Sequence, residues 1–220
     1  MPRAARFALS EIQQEALAIV DRDGLAALTM RSLAAALGTG PMTLYNYLDG
    51  RGGLDELVVD AVAALVPATP PGEHWIDDVR RSATALWSTV RRHPGVIPLV
   101  LTRRTSSPAS LVPAEALAAA LARSGRSGFE LLVAFRAVMG VVMGIAQAEL
   151  AGPLGPERDA TAAAERFGAV AGELNPTLAA LAGVAGQDPQ REFDAGLDIV
   201  LTGLASGGEA LGGYDRSPPP

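Results

Sequence analysis

The chain has 220 residues, 49% of them hydrophobic, which is enough apolar material to bury a core in one or two domains. It has no cysteine, so disulfide frameworks, thiol catalysis and thiolate zinc sites are excluded. The formal net charge of -6 argues against non-specific coating of nucleic acid or anionic membranes, so any contact with DNA must be local. All 18 basic residues are arginine, which suits bidentate contacts to phosphate and guanine, although a GC-rich coding bias gives the same composition.

Apolar residues recur at helical spacing almost throughout, and β-branched alternation is scarce, so the sequence predicts an all-α protein. The start, MPRAARFAL, lacks the long apolar stretch of a secretory signal. The longest uncharged apolar run, 137–146, is bracketed by Arg136 and Glu149 and is too short to cross a hydrocarbon layer of roughly 30 Å. We therefore expect a cytoplasmic protein without a membrane span, in which this run forms a buried helix.

Four helices are predicted in the N-terminal part of the chain. The first ends at Gly24, which can adopt the left-handed C′ conformation. The second follows Thr29 and ends at Gly38, and the third restarts the chain at Pro41, a favoured first helical residue. Asp49 caps the fourth. The predicted ranges are 10–22, 30–37, 41–47 and 49–67.

The second and third predicted helices are short, and helices below roughly 12 residues are marginal alone, so the two must pack together. Ala34 is small enough to let them cross closely. Two short packed helices joined by Gly38-Thr39-Gly40 are a helix-turn-helix pattern. The predicted shared core consists of Leu33, Leu37, Leu44 and Leu48 with Ile12, Ile19 and Leu28.

The other face of the third helix has little apolar character, so we expect it to project outward. In helix-turn-helix proteins the start of this helix meets base edges. The outward residues are predicted to be Met42, Thr43, Tyr45, Asn46 and Tyr47.

Arg51 lies in the first turn of the fourth predicted helix, where the macrodipole disfavours a cation by a few tenths to about 1 kcal/mol. A DNA phosphate at this helix start would satisfy both the guanidinium and the free backbone N–H groups. The alternative is that Arg51 neighbours Asp49 or Asp55 and is solvated.

The stretch ALTMRSLAAALGTGPMTLYNYLDGRGGLDELV, residues 27–58, resembles the DNA-binding domain of the TetR family of transcriptional regulators. The resemblance extends over residues 10–65. It implies that Thr29 holds a phosphate and that Arg31 reaches a base edge.

The same resemblance assigns roles on the third and fourth helices. It implies that Tyr45 binds phosphate, that Tyr47 stands where histidine or tyrosine is usual, and that Arg51 replaces the family's common lysine at a phosphate. The base-facing start of the recognition helix is then Pro41, Met42 and Thr43. Residues 1–66 hold five arginines and eight acids, so we expect modest non-specific affinity that falls quickly with salt.

A proline-rich segment, VPATPPGEHW at 66–75, marks a domain boundary. We expect a DNA-binding domain over 1–66, a larger helical domain over 67–207 and a disordered polar tail over 208–220. Beyond the boundary the predicted helices cover 75–92, 95–101, 113–124, 127–150, 156–173, 176–185 and 189–205.

VRRHPGV at 90–96 and FDAGLDIVLTGLAS at 193–206 resemble the C-terminal domain of the subgroup close to the tetracycline repressor, which implies dimerisation and an effector pocket. The helix over 127–150 has two faces that need cover. We expect it to pair with the last helix and their symmetry mates in a four-helix dimer interface; the alternative is a helix wholly inside its own subunit. Candidates to line the pocket, or else ordinary core residues, are Trp87, Phe135, Met139 and Met143.

The residue inventory opposes catalysis, because there are two histidines and neither a G-x-S-x-G nor a G-K-[ST] motif. His74 and His93 are too isolated for a metal site, so we expect no enzyme activity, metal or cofactor. The sequence favours an effector-responsive repressor that binds a palindromic double-stranded operator as a homodimer and is released by a small apolar ligand. The alternative is a helical small-molecule or partner-binding protein with a non-functional helix-turn-helix.

Overall fold

The computed structural model describes residues 7–102, 108–151, 175–182, 184 and 188–206, and these ranges are helical without a strand. The all-α prediction is confirmed. The helices are α1 Leu9–Asp23, α2 Met30–Ala36, α3 Pro41–Leu44, α4 Gly50–Ala64, α5 Trp75–Arg92, α6 Ile97–Thr102, α7 Pro108–Ala122, α8 Gly128–Ala151, α9 Pro176–Ala182 and α10 Pro189–Ser206, with 3-10 turns at Leu25–Ala27 and Pro94–Val96.

Helix α2 is held at both ends by local hydrogen bonds. At its start the Ser32 N–H donates to Thr29 Oγ1 (3.0 Å) and the Thr29 N–H donates to Ser32 Oγ (2.9 Å), a reciprocal cap. At its end Gly38 has a φ of 62°, which glycine adopts without strain. The N–H groups of Gly38 and Thr39 donate to the carbonyls of Ala35 (3.1 Å) and Ala34 (2.9 Å), as in a Schellman motif.

The short helices α2 and α3 are stabilised by a shared apolar core, as predicted. Its centre is fully buried, and Leu37 is the one predicted member that is only half-buried. The same cluster includes Val96 and Leu99, which come from beyond the predicted domain boundary. The buried members that the sequence predicted are Ile12, Ile19, Leu28, Leu33, Leu44 and Leu48.

Residues Met1–Pro70 and Thr84–Ala116 form one compact unit, and Pro71–Ala83 with Leu117–Pro220 form the other. In the first unit Gly95 lies against α1: a Cβ at this position would be 2.8 Å from Val20 Cγ1 and 3.3 Å from the Val20 carbonyl oxygen. In the second unit α8 packs along α10, and a Cβ on Gly196 would be 3.1 Å from Ile145 Cδ1.

Asp78 is a buried carboxylate that joins three segments of the second unit. It accepts hydrogen bonds from the Gly72 N–H at 2.9 and 3.1 Å and is paired with Arg81 and Arg123. Arg123 also donates to the carbonyls of Gly72 (2.7 Å) and Glu73 (2.9 Å). Although burial opposes ionisation, the Gly72 N–H and the two guanidinium groups lower the pKa of Asp78 below its usual value.

Some predicted helix limits were wrong. Helix α7 begins at Pro108 and contains Pro113, whereas the predicted helix began at Pro113. The prediction chose the later proline, because either proline suits the first position of a helix. Helix α3 is four residues long, and residues 45–47 continue as a turn in which Asn46 N–H bonds Thr43 O and Tyr47 N–H bonds Leu44 O. The predicted helix at 156–173 and the predicted tail at 208–220 lie outside the described residues.

Helix α8 is covered by its own chain on one side only. By length and composition, with a mean hydropathy of 1.9, Gly128–Ala148 could cross a membrane, a criterion that core helices of soluble proteins also meet. Within the single chain 28% of that window is buried, so the helix is not wholly inside its own subunit, and its cover by a second copy stays a prediction. Burial is one-sided: Val138 and Val142 are enclosed, whereas Phe129 and Gly140 are exposed.

Candidate DNA-binding surface

Within the helix-turn-helix, one face of α3 is buried and the other is exposed to solvent. Leu44 is fully buried in the core of the first unit. Met42 is 77% exposed and Tyr45 54% exposed, so neither side chain is explained by packing. Asn46 is also exposed, whereas Pro41 and Thr43 are half-buried. The structure therefore presents Met42, Tyr45 and Asn46 as the sequence predicted.

Tyr47 differs from the expectation that both tyrosines project outward. Its ring packs against the core of the first unit, and its hydroxyl oxygen accepts a hydrogen bond from the Phe7 N–H at 3.2 Å. The phenolic hydrogen stays available to an acceptor, because the bond to Phe7 uses an oxygen lone pair. A DNA contact by Tyr47 remains a prediction.

At the start of α2, Thr29 and Arg31 are exposed. Thr29 is already engaged in the cap, and its Oγ1 lies 3.0 Å from Ser32 Oγ. Ser32 Oγ donates to the Ala27 carbonyl at 2.7 Å, so its oxygen is free to accept from Thr29. A phosphate contact by the Thr29 hydroxyl would therefore replace its bond to Ser32.

The turn between α2 and α3 holds a contact that the sequence prediction missed. Thr39 Oγ1 donates a hydrogen bond to Thr43 Oγ1 at 3.1 Å, and both side chains are half-buried. The i, i+4 spacing of two threonines across a helix start was the available signal.

Arg51 lies in the first turn of α4, as predicted. Its side chain lies outside the described part of the chain, so its phosphate contact stays a prediction. Asp49 is the residue before the helix, and its side chain makes no capping hydrogen bond.

The four candidate effector residues lie in different compact units. Trp87 is buried in the first unit, with the Arg91 guanidinium 5.1 Å from the ring centroid. In the second unit Met143 is buried and Phe135 and Met139 are half-buried on α8. Their role in a pocket stays a prediction.

A cleft of about 410 Å³ lies between α1 and α4 in the first unit, and none of the four candidate effector residues lines it. Its walls carry three carboxylates, from Asp49, Glu56 and Asp60, which suits neither phosphate nor an apolar ligand. Within the described ranges, no group of three histidine, aspartate or glutamate residues is arranged to hold a metal ion.

Comparison with known proteins places the chain in a family. Residues 66–207 match the family model "Tetracyclin repressor-like, C-terminal domain". An HTH-type transcriptional regulator of Saccharopolyspora erythraea is 31% identical over 198 residues, which cover 89% of this chain and 84% of that protein. The HTH-type transcriptional repressor DrrR1 of Streptomyces coeruleorubidus is 31% identical over 146 residues, 64% of this chain but 53% of DrrR1.

A solved structure with the same fold is that of the Streptomyces coelicolor TetR family protein ActR in complex with actinorhodin. It has 28% sequence identity and a TM-score of 0.77, and the match covers 94% of this chain and 99% of ActR. The matches to the Saccharopolyspora erythraea regulator and to ActR extend over both the helix-turn-helix and the C-terminal helices. The chain belongs to the TetR family of transcriptional regulators, with a DNA-binding helix-turn-helix at its N-terminus and a tetracyclin-repressor-like C-terminal domain.

Proposed function

We propose that this regulator is an effector-responsive repressor that binds a palindromic operator as a homodimer, with α3 of each copy in one of two successive major grooves. The observation that carries the proposal is the division of α3 into the buried Leu44 and the exposed Met42 and Tyr45. A helix this short, anchored by one face, presents the other face in one orientation.

The proposed DNA contacts are local. Arg31 and Tyr45 are exposed on the helix-turn-helix, whereas Glu11 and Glu56 are exposed on α1 and α4. Phosphate contacts therefore come from a few side chains on an acidic protein, and non-specific affinity is weak and sensitive to salt. The full proposed set is Thr29, Arg31, Pro41, Met42, Thr43, Tyr45, Asn46, Tyr47 and Arg51.

The proposed dimer uses the uncovered faces of α8 and α10. These helices pack on each other, yet Phe129 on α8 is 69% exposed and Ile199 on α10 is 75% exposed. Small residues on the open faces, among them Gly140 and Gly144 on α8, allow close helix approach. A second copy of the same two helices would complete a four-helix bundle and cover both faces.

The proposed signal is a small, largely apolar ligand. ActR, a structural relative, was crystallised with actinorhodin. An effector that dissociates the operator complex must bind the DNA-incompetent state more tightly than the competent one, with a coupling free energy of about 1 to 3 kcal/mol. The candidate ligand-binding residues remain those named from the sequence, Trp87, Phe135, Met139 and Met143, within a proposed regulatory domain over 67–207. The proposed location is the cytoplasm, and no cofactor is proposed.

Selection of bound duplexes from a random pool at low ionic strength tests the proposal. We expect an enriched inverted repeat whose half-sites are separated by about one helical turn, together with a dimer mass by light scattering. The control is Met42→Asp, which keeps the fold and repels phosphate. No enrichment by the folded wild type would overturn the repressor function and leave a ligand-binding or partner-binding role for the chain.

A further inference from the structure

Thr39 lies outside the recognition helix, yet it is held rigidly beside it. Its N–H donates to the Ala34 carbonyl at 2.9 Å, so the end of α2 fixes its backbone. Its hydroxyl donates to Thr43 Oγ1 at 3.1 Å. Thr43 follows the exposed Met42 and lies in the only helical turn of α3.

This contact determines what the Thr43 hydroxyl can do. A threonine hydroxyl carries one hydrogen and two acceptor positions. The hydrogen of Thr39 occupies one acceptor position of Thr43. In the part of the chain that the structure describes, the other hydrogen bonds of Thr43 involve its backbone: its N–H donates to the Gly40 carbonyl, and its carbonyl accepts from the N–H groups of Tyr45 and Asn46. The hydroxyl hydrogen of Thr43 is therefore directed away from Thr39.

We propose that Thr39 is a positioning residue that makes Thr43 a hydrogen-bond donor to an acceptor on a base edge in the major groove. This proposal rests on the proposed function, in which α3 enters that groove. Guanine N7 and O6, adenine N7 and thymine O4 accept such a bond, whereas cytosine presents its N4 amino donor there. Because Thr39 leaves Thr43 one acceptor position instead of two, it favours these acceptors over cytosine at one position of each half-site.

The test uses the full chain and the operator that the wild type enriches. Affinity is measured for all four bases at each operator position, for the wild type, four single variants and one double variant. Thr39→Val keeps the shape and removes the donor, Thr39→Ser keeps the donor, and Thr43→Val removes the reading hydroxyl. Thr39→Ala is a second variant without the donor, and melting temperatures report the fold of each protein.

We expect Thr39→Val and Thr39→Ala to reduce discrimination against cytosine at one symmetric pair of positions by about twofold to tenfold, the range for one hydrogen bond. Thr39→Ser should match the wild type. The double variant Thr39→Val/Thr43→Val should match Thr43→Val alone, because Thr39 acts through Thr43.

An unchanged base profile in folded Thr39→Val and Thr39→Ala would overturn the role of Thr39. Equal weakening by Thr39→Val for every base would also overturn it, because Thr43 would then contact a phosphate. Failure of the proposed function has a different signature, since the wild type itself would enrich no sequence.

Discussion

Asp21 Oδ2 and His93 Nδ1 lie 2.8 Å apart, although 72 positions separate the two residues. The ionised carboxylate can only accept, so the hydrogen of this bond is on His93 Nδ1. The bond ties the last turn of α1 to the 3-10 turn after α5, within the first compact unit.

We expect Asp21→Ala and His93→Ala each to lower the free energy of unfolding by about 0.5 to 1.5 kcal/mol, the net value of one hydrogen bond between partly exposed groups. Urea unfolding measures the loss, and a double-mutant cycle isolates the pair. Arg22→Ala, which removes an exposed ion pair with Asp23, is the control and should change little. Additive losses in the cycle would show that the two side chains do not interact.

Gly95→Ala should destabilise the first unit by about 1 to 3 kcal/mol, because the new methyl group would overlap Val20 and its backbone. Gly52→Ala in α4 is the matched control, since a Cβ there has no atom within 4 Å. That substitution should be neutral or raise stability by up to about 1 kcal/mol through helix propensity. Equal melting temperatures for the two variants would contradict the close approach of Gly95 to α1.

Neighbouring positions on α3 should respond oppositely to the same substitution. Leu44→Asp places an unpaired carboxylate in the core and should abolish the folded DNA-binding unit. Met42→Asp puts the charge in water, so it should keep the wild-type circular dichroism and melting temperature while losing operator binding. A folded Leu44→Asp variant would mean that α3 is not anchored through this face.

Acid stability should report the buried carboxylate of Asp78. Its pKa is lowered in the folded state from a usual value of 3.8, so its stabilising contribution is complete above that value and is lost as the pH falls through the folded-state pKa. Asp78→Asn should be less stable than the wild type at neutral pH and should lose less stability on acidification below about pH 4. Asp77→Asn, at an exposed position, is the control, and parallel pH profiles for all three proteins would contradict the assignment.

Two substitutions separate charged from neutral phosphate contacts. Arg51→Ala should lower affinity for every sequence and reduce the slope of log K against log salt by about 0.9 per half-site. Tyr45→Phe should weaken binding without changing that slope, because it removes a hydroxyl and no charge. Salt titrations by fluorescence anisotropy measure both, and an unchanged slope for Arg51→Ala would remove its phosphate role.

Periodicity predicted the features that depend on local sequence. The core positions Leu33 and Leu44 follow from helical spacing, and α5 has the predicted limits, Trp75–Arg92. Periodicity could not decide between two similar local signals: both Pro108 and Pro113 suit a helix start, and α7 begins at Pro108.

Features that depend on contacts distant in sequence were not predictable. The inward position of Tyr47 depends on Phe7, 40 positions away, and the Asp21–His93 bond has no periodic signature. For α8 the sequence indicated two faces that need cover but left open whether the cover comes from the same subunit or from a second copy, because apolar helices of both kinds have similar composition.

Gly95 affects the design of chimeric regulators in which the DNA-binding domain of one protein is joined to the C-terminal domain of another. The hydrophobic cluster of the DNA-binding domain includes Val96 and Leu99. Gly95 lets the segment that carries these two residues lie directly on Val20. A chimera spliced at residue 66 would therefore bring a foreign surface against α1, even with every DNA-contacting residue retained. A DNA-binding domain moved into another regulator should keep its operator preference only when residues 93–99 come from the same protein.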